Sequence, residues 1–194
     1  MPVLLIAATC AAQVADPHRD AVLRYLTASR TLAIMRHVGL LLAIREAAVD
    51  RWGFASMDLG ADELTAMESH VDAAELEARV VELHRRYLSR DQAADAAQFY
   101  ESAAGKRALV ANVGEILPPA DPLRREGAGP VTDSDQQAFR AFMSTPTGQR
   151  LQAIDAALAK DLLDAQAQIA DVAIERYVAR KNLPNRRAPE GGRR

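Results

Sequence analysis

Apolar residues recur at intervals of three and four along most of the chain, which is the spacing of amphipathic helices. Capping residues, prolines and glycines separate these stretches, and Ser29 or Thr31 and Gly53 are the expected cap and end of the second helix. The inward positions expected in that helix are Leu32, Met35, Val38 (or Gly39), Leu42 and Val49. No segment alternates as a strand does, so the sequence predicts an all-α fold. The predicted helices lie at about 17–26, 31–52, 62–69, 73–87, 90–101, 105–117, 133–143 and 147–181.

The last predicted helix is the longest. At about 1.5 Å per residue it spans roughly 50 Å, so the other helices must pack along it. A chain of 194 residues can bury one sizeable core, and we predict a single helical bundle over residues 16–184. The apolar stripe of the long C-terminal helix comprises Leu151, Ile154, Leu158, Leu162, Ile169, Val172 and Tyr177.

One sequence unit occurs twice. Residues 99–106 (Phe-Tyr-Glu-Ser-Ala-Ala-Gly-Lys) join two predicted helices, and residues 142–149 (Phe-Met-Ser-Thr-Pro-Thr-Gly-Gln) follow 43 positions later. The predicted helix caps Ser89 and Thr132 keep the same offset. We therefore predict two helix–aromatic–Gly–helix units at about 88–117 and 131–181, separated by a Pro/Gly-rich loop at 118–130 without regular structure.

The first residues have the pattern of a secretory signal peptide. An apolar run over residues 3–8 passes into small residues, and cleavage after Ala12 or Ala15 would follow a small residue. No Lys or Arg precedes this run, so a buried N-terminal helix of a cytoplasmic protein is one alternative, and a lipid anchor at Cys10 is another. We predict a signal peptide over residues 1–15 and a periplasmic or secreted protein without a transmembrane segment in the mature chain.

Composition narrows the classes of function. With 49% hydrophobic and 26% charged residues the chain is typical of a globular protein, and a net charge of −2 gives no overall field that favours nucleic acid. Residues 185–194 are rich in Arg and lack apolar periodicity, so we expect a disordered basic tail. Cys10 is the only cysteine, so a chain without the signal peptide has neither a disulfide nor a thiolate.

Residues 99–106, with Tyr87 and the capped helix start at Ser89, resemble a bacterial helical family catalogued as domain of unknown function 2059. The hallmark of that family is an aromatic pair followed by Ser-Pro-x-Gly-Lys, and most of its members are small exported proteins. Here Ala103 stands where the family usually has proline, which appears in the second unit as Pro146. The resemblance implies an all-helical fold and a place in the cell envelope, and it implies no activity.

The repeated unit has a structural and a functional interpretation. In the first, Phe99 is a core residue, Ser102 caps the outgoing helix and Gly105 allows two helices to approach closely. In the second, Tyr100, Ser102 and Lys106 face a shared groove, since a cation in a first helical turn gains nothing from the helix dipole and indicates an anionic or partner contact. The candidate interaction motif comprises Phe99, Tyr100, Ser102, Gly105, Lys106, Phe142 and Gly148.

The residues that carry chemistry are scattered. The four histidines lie far apart without a cysteine partner, so we interpret each as a surface or half-buried helix residue. Ser102 lacks the Gly-x-Ser-x-Gly context of a nucleophile, and Asp161 with Asp164 fits a solvated helix face. Pairs of arginines are not interleaved with aromatic residues, which argues against nucleic-acid binding. We predict no catalytic, cofactor-binding or metal-binding residues.

Three classes of function follow. The leading hypothesis is a non-enzymatic, exported helical protein that binds another macromolecule or ligand of the bacterial envelope. The alternative is a carrier that holds an apolar or lipid-like ligand between helices near Leu158, Leu162 and Ile169. The third is an envelope hydrolase with an unrecognised site.

Overall fold

The computed structural model describes residues 15–52 and 60–181, and residues 1–14 of the predicted signal peptide, with Cys10, as well as Gly53 and the basic tail fall outside these ranges. Within them the protein is all-α and contains no strand, which confirms the predicted fold class. No described helix is long and apolar enough to cross a membrane. The helices are α1 (Pro17–Ala28), α2 (Thr31–Ile34), α3 (Leu40–Trp52), α4 (Ala61–Glu68), α5 (Ala73–Tyr87), α6 (Arg90–Glu101), α7 (Ala103–Val113), α8 (Leu123–Glu126), α9 (Asp133–Met143) and α10 (Pro146–Lys181).

Several helices begin directly after the capping residue that the sequence predicts for them. Asp16 accepts hydrogen bonds from the first backbone N–H groups of α1, and Asp72 does the same for α5. Ser89 opens α6 in a capping box, in which its hydroxyl accepts from the Gln92 N–H and the Gln92 side chain accepts from the Ser89 N–H. Thr132 opens α9 with an equivalent box. These hydrogen bonds satisfy backbone donors that a helix start leaves without a partner.

The start of α2 differs from the prediction. Arg30 precedes it in a left-handed conformation, with φ of 59°, and no side chain caps the helix. The expected cap by Ser29 or Thr31 is therefore wrong. These two hydroxyls instead hydrogen-bond each other, with an Oγ–Oγ1 distance of 2.7 Å.

A π-helical turn, Met35–Gly39, lies between α2 and α3. Such a turn adds a residue to a helix and rotates everything that follows it. As a result Leu40 and Ile44 are fully buried, whereas Leu42, predicted to face inward, is 55% exposed. The prediction for Leu42 is wrong because a regular helical period does not count the extra residue.

The main core lies between α1, α5 and α6 on one side and α3, α4 and α10 on the other, with α5 in contact with both α1 and α10. Val22 and Leu26 of α1, Val80 of α5 and Ile174 of α10 are fully buried there. Burial of each such side chain stabilises the fold by about 1.5–3 kcal/mol. In the predicted stripe of α10, the buried residues are Ile154, Leu158, Ile169 and Tyr177, and the half-buried ones are Leu151, Leu162 and Val172.

A second, smaller core lies next to α7, in a region where the structure differs from two predictions. Helix α7 ends at Val113 rather than Leu117, and the 118–130 segment, predicted to lack regular structure, contains α8. Leu117 and Leu123 are buried against Leu109 of α7, which holds the intervening segment close to the bundle.

Candidate functional site

The two repeated units form the same corner between helices. Ser102 Oγ donates a hydrogen bond to the Phe99 carbonyl (2.7 Å) and accepts one from the Gly105 N–H (3.0 Å). In the second unit Thr145 Oγ1 donates to the Phe142 carbonyl (2.7 Å) and accepts from the Gly148 N–H (3.1 Å). The repeat that the sequence predicts is therefore present in the corner hydrogen bonds.

Glycine is required at both corners by the closeness of the backbone. A Cβ atom on Gly105 would lie 2.8 Å from the Tyr100 Cα and closer still to the Phe99 carbonyl oxygen. A Cβ atom on Gly148 would lie 2.9 Å from the Met143 carbonyl carbon and closer still to the Phe142 carbonyl oxygen. The neighbouring atoms are backbone, so they cannot rotate aside as a side chain would. This supports the structural interpretation of Gly105.

The aromatic residues of the two units meet each other. The rings of Phe99 and Phe142 are stacked with centroids 4.2 Å apart and an interplanar angle of 2°. Tyr100 packs edge-on against both rings, at 5.3 Å and 6.3 Å. Phe99 is half-buried rather than a core residue, because α6 turns its alanines toward the core and Phe99 toward the second unit. The predicted motif thus joins the two units.

One arginine of each unit donates hydrogen bonds at a helix start of the other unit. Arg107 donates to both carboxylate oxygens of Asp135 at the start of α9 (2.8 and 2.6 Å). Arg150, which lies 43 positions after Arg107, donates to the Tyr87 carbonyl just before α6 (2.9 Å). The hydrogen bonds from Arg107, and then those from Thr132, hold the pKa of Asp135 well below its usual range. These two arginines were not identified from the sequence, although their separation by the 43-residue repeat offset is a signal that could have found them.

A groove of about 440 Å³, the motif groove, lies between α1, α6, α7 and α8. Its lining combines apolar surface, as at Leu23, Tyr100 and Leu123, with charged side chains that include the Arg24–Glu101 and Lys106–Glu126 ion pairs. Lys106 Nζ lies 2.6 Å from Glu126 Oε2, which accounts for a cation in a first helical turn and lowers the pKa of Glu126. Arg24, and to a smaller extent Lys106, lowers the pKa of Glu101.

The motif groove contains only part of the predicted set. Tyr100 and Lys106 both line it, as the functional interpretation expects. Ser102 does not, and lies instead in a groove with Phe99 and Phe142. The structure therefore brings together two of the three residues predicted to share a groove.

An apolar cleft of about 370 Å³, the aromatic cleft, lies between α1, α6, α9 and α10. Tyr100 lines this cleft as well as the motif groove, so the two spaces are neighbours. Of the residues near which an apolar groove was predicted, Leu158 lines the cleft, whereas Leu162 and Ile169 do not. Its lining comprises Tyr25, Tyr100, Phe139, Met143, Leu151, Gln152, Ile154, Asp155 and Leu158.

Two titratable residues make contacts that the sequence did not predict, and His84 is more buried than the surface or half-buried position expected for it. His84 is fully buried beside Tyr25, with Nδ1 2.8 Å from the Val80 carbonyl oxygen, and burial lowers its pKa. Asp161 accepts a hydrogen bond from the Tyr87 hydroxyl (2.9 Å) and pairs with Arg86 (3.2 Å). Sequence periodicity did not identify either contact, because each depends on how separate helices pack. No group of three His, Cys, Asp or Glu side chains in the described ranges is placed to hold a metal ion.

No protein-family model, curated protein or solved structure matches this chain. The resemblance of residues 99–106 to the envelope family stays a prediction. The corners, the motif groove and the aromatic cleft are the basis for the functional inference that follows.

Proposed function

We propose that this protein is exported, non-enzymatic and binds a segment of another envelope macromolecule in the motif groove. The observation that carries the proposal is that Tyr100 and Lys106 of the repeated unit line one groove, together with apolar side chains and two ion pairs. Apolar contact surrounded by a few oriented polar groups is the usual composition of a binding site. Export is supported by the signal-peptide pattern of residues 1–15.

The two ion pairs of the motif groove can be replaced by ion pairs with a bound segment. Lys106 and Glu126 are half-exposed, as are Arg24 and Glu101. Ion pairs at such exposure contribute little to folding, because water screens them. A bound segment that carries both a cation and an anion can therefore replace these contacts without destabilising the bundle.

A crosslinking experiment tests the site. A photoreactive residue at Thr27, which is exposed and lines the motif groove, is expected to crosslink the partner in intact cells. Lys106→Ala should remove the crosslinked product, whereas Lys160→Ala should keep it, since Lys160 is paired with Asp164 away from the motif groove. Equal crosslinking by both variants, with unchanged melting temperatures, would remove the motif groove from consideration.

Export is tested separately by sequencing the mature N-terminus from separated cell fractions. A chain that begins at Gln13 or Asp16 in the periplasmic fraction is the expected result. A membrane-bound chain lipidated at Cys10 would place the protein on the envelope as an anchored module. An uncut chain in the cytoplasm would contradict export while leaving the crosslinking result intact.

The aromatic cleft favours a second candidate function, the carriage of an apolar or lipid-like ligand. Its volume of about 370 Å³ lies within the range of small-molecule sites. Native mass spectrometry should then detect a co-purified lipid in the wild type. Leu151→Trp, which fills the cleft from a half-buried position, should lose it. A ligand-free wild type would count against this function.

A further inference from the structure

A third space, the acidic groove, runs between α3 with its preceding π-helical turn and the middle of α10. It has a volume of about 490 Å³ and shares no lining residue with the motif groove or the aromatic cleft. Leu42 and Leu163, which are 55% and 65% exposed, line it. Apart from Gln166, the other lining residues are small, namely Gly39, Ala43, Ala47 and Ala167, or acidic, namely Glu46, Asp50, Asp164 and Asp171.

A buried amide lines this groove. Gln166 is only 6% exposed, and no hydrogen-bond partner for its side chain exists among the described residues. Gly39 makes room for it, since a Cβ atom there would lie 3.1 Å from Gln166 Cδ and closer to Nε2. The Gln166 amide atoms keep contact with the groove, so water or a polar group of a ligand can hydrogen-bond them there.

We propose that the acidic groove binds a cationic amphipathic helix of a partner protein. The apolar side chains of that helix would contact Leu42 and Leu163, and its Lys or Arg residues would pair with the surrounding carboxylates. In the described part of the chain, the only basic partner of these four carboxylates is Lys160, which pairs with Asp164. The small residues of the lining let a helix approach closely, and Gln166 offers a donor and an acceptor to a polar side chain of the partner.

Two other occupants match the groove less well. The tail at 182–194 is basic, but Leu183 is its only large apolar residue, so it cannot contact both leucines with an apolar side chain of its own. A second copy placed groove to groove would bring eight carboxylates together, and like charges repel. A separate cationic helix supplies both the apolar face and the charge that the groove lacks.

The probe is a fluorescein-labelled peptide of about 18 residues, or five helical turns, with leucines on one face and lysines on the other. Its binding to the full chain is measured by fluorescence anisotropy, and a peptide with glutamates for lysines serves as the charge control. Leu42→Gln/Glu46→Gln is expected to raise the Kd at least tenfold. The matched control, Ile116→Gln/Glu115→Gln, changes the same kinds of exposed residue outside the groove and should leave the Kd within twofold.

Four other results would each contradict binding of a partner helix in the acidic groove. Equal affinity of the two double variants, or no binding of the lysine peptide, would overturn it. A full chain with Arg186→Gln/Arg187→Gln that binds at least tenfold more tightly would assign the groove to the tail of the same protein and overturn the partner helix. A dimer in solution that Leu42→Gln/Glu46→Gln converts to a monomer would assign the groove to a second copy. The altered side chains of both double variants are exposed, so both should melt at the wild-type temperature. Unchanged melting shows that a change in Kd does not come from a loss of folding.

Discussion

A Gly105→Ala substitution places a methyl group against the backbone of the preceding helix. The added Cβ atom would lie 2.8 Å from both the Phe99 carbonyl carbon and the Tyr100 Cα. Separations below about 3.0 Å are not seen for real Cβ atoms, so the corner between α6 and α7 has to open. Opening it stretches the two hydrogen bonds of Ser102.

The expected cost follows from two opposing effects. Overpacking of a well-packed site costs about 1–3 kcal/mol, and the upper part of that range applies because the contacted atoms are backbone. Alanine returns up to about 1 kcal/mol through its higher helix propensity. The net loss is about 2 kcal/mol, which lowers the melting temperature of a chain of this length by about 4–8 °C. Gly148→Ala meets the backbone of Phe142 and Met143 and should behave alike.

Thermal unfolding followed by circular dichroism measures this effect, with Gly39→Ala as the matched control. The three atoms nearest to the Cβ atom of that control all belong to the end of the Gln166 side chain, which can rotate whereas backbone cannot, so the melting temperature should stay within about 2 °C of the wild type. If Gly105→Ala melted at or above the wild-type temperature, the close approach would not be the reason for glycine. The functional interpretation of the motif would then have to explain Gly105.

Two further predictions concern pH. Arg107 and Thr132 hold the pKa of Asp135 well below its usual range, so its ionised form stabilises the fold above about pH 4 and this stabilisation is lost at lower pH. The lowered pKa keeps Asp135 ionised in the folded chain at pH 3, whereas its carboxyl in the unfolded chain is then largely protonated, so Asp135→Asn should lower the melting temperature somewhat less at pH 3 than at pH 7. An equal or larger loss at pH 3 would contradict the pairing. Burial lowers the pKa of His84, so the unfolded chain binds more protons below about pH 6.5 and stability falls there. His84→Gln should flatten this dependence between pH 6.5 and 5, and an unchanged slope would assign it to other groups.

Local signals in the sequence were sufficient for much of the fold. Asp16, Asp72, Ser89 and Thr132 cap helices because each can satisfy backbone N–H groups within its own first turn. The length of α10 follows from a long apolar stripe that meets no Pro or Gly after Gly148 in its first turn. The 43-residue repeat also identified both corner glycines. All these features depend on residues close together in the chain.

The features that the sequence did not reveal depend on contacts between distant residues or on an irregular backbone. The π-helical turn shifts the buried face from Leu42 to Leu40 and Ile44, and a regular period cannot show where the extra residue falls. Helix α8 forms within a Pro/Gly-rich segment because burial of Leu123 compensates for poor local propensity. The burial of His84 likewise depends on the packing of α5 against α1.

Comparison of the two units separates the residues that build the fold from those that distinguish the surfaces. Positions with the same residue type in both units, such as Phe99 with Phe142 and Gly105 with Gly148, form the stacked interface and the tight corners. Two positions that differ between the units, Tyr100 and Lys106 in the first, line the motif groove. Tyr100 corresponds to Met143 in the second unit, and both line the aromatic cleft, but only Tyr100 also lines the motif groove.

Lys106 is another position at which the two units differ and only the first unit lines the motif groove. Its counterpart in the second unit is Gln149, whose amide donates to the Ser144 carbonyl (3.3 Å) within its own corner. Lys106 instead extends to Glu126 at the edge of the motif groove. A Lys106→Gln variant therefore makes the first unit resemble the second at this position while the glycine corner stays intact. If the motif groove binds the partner, this variant should lose the Thr27 crosslink while melting within about 2 °C of the wild type, since a half-exposed ion pair contributes little to stability.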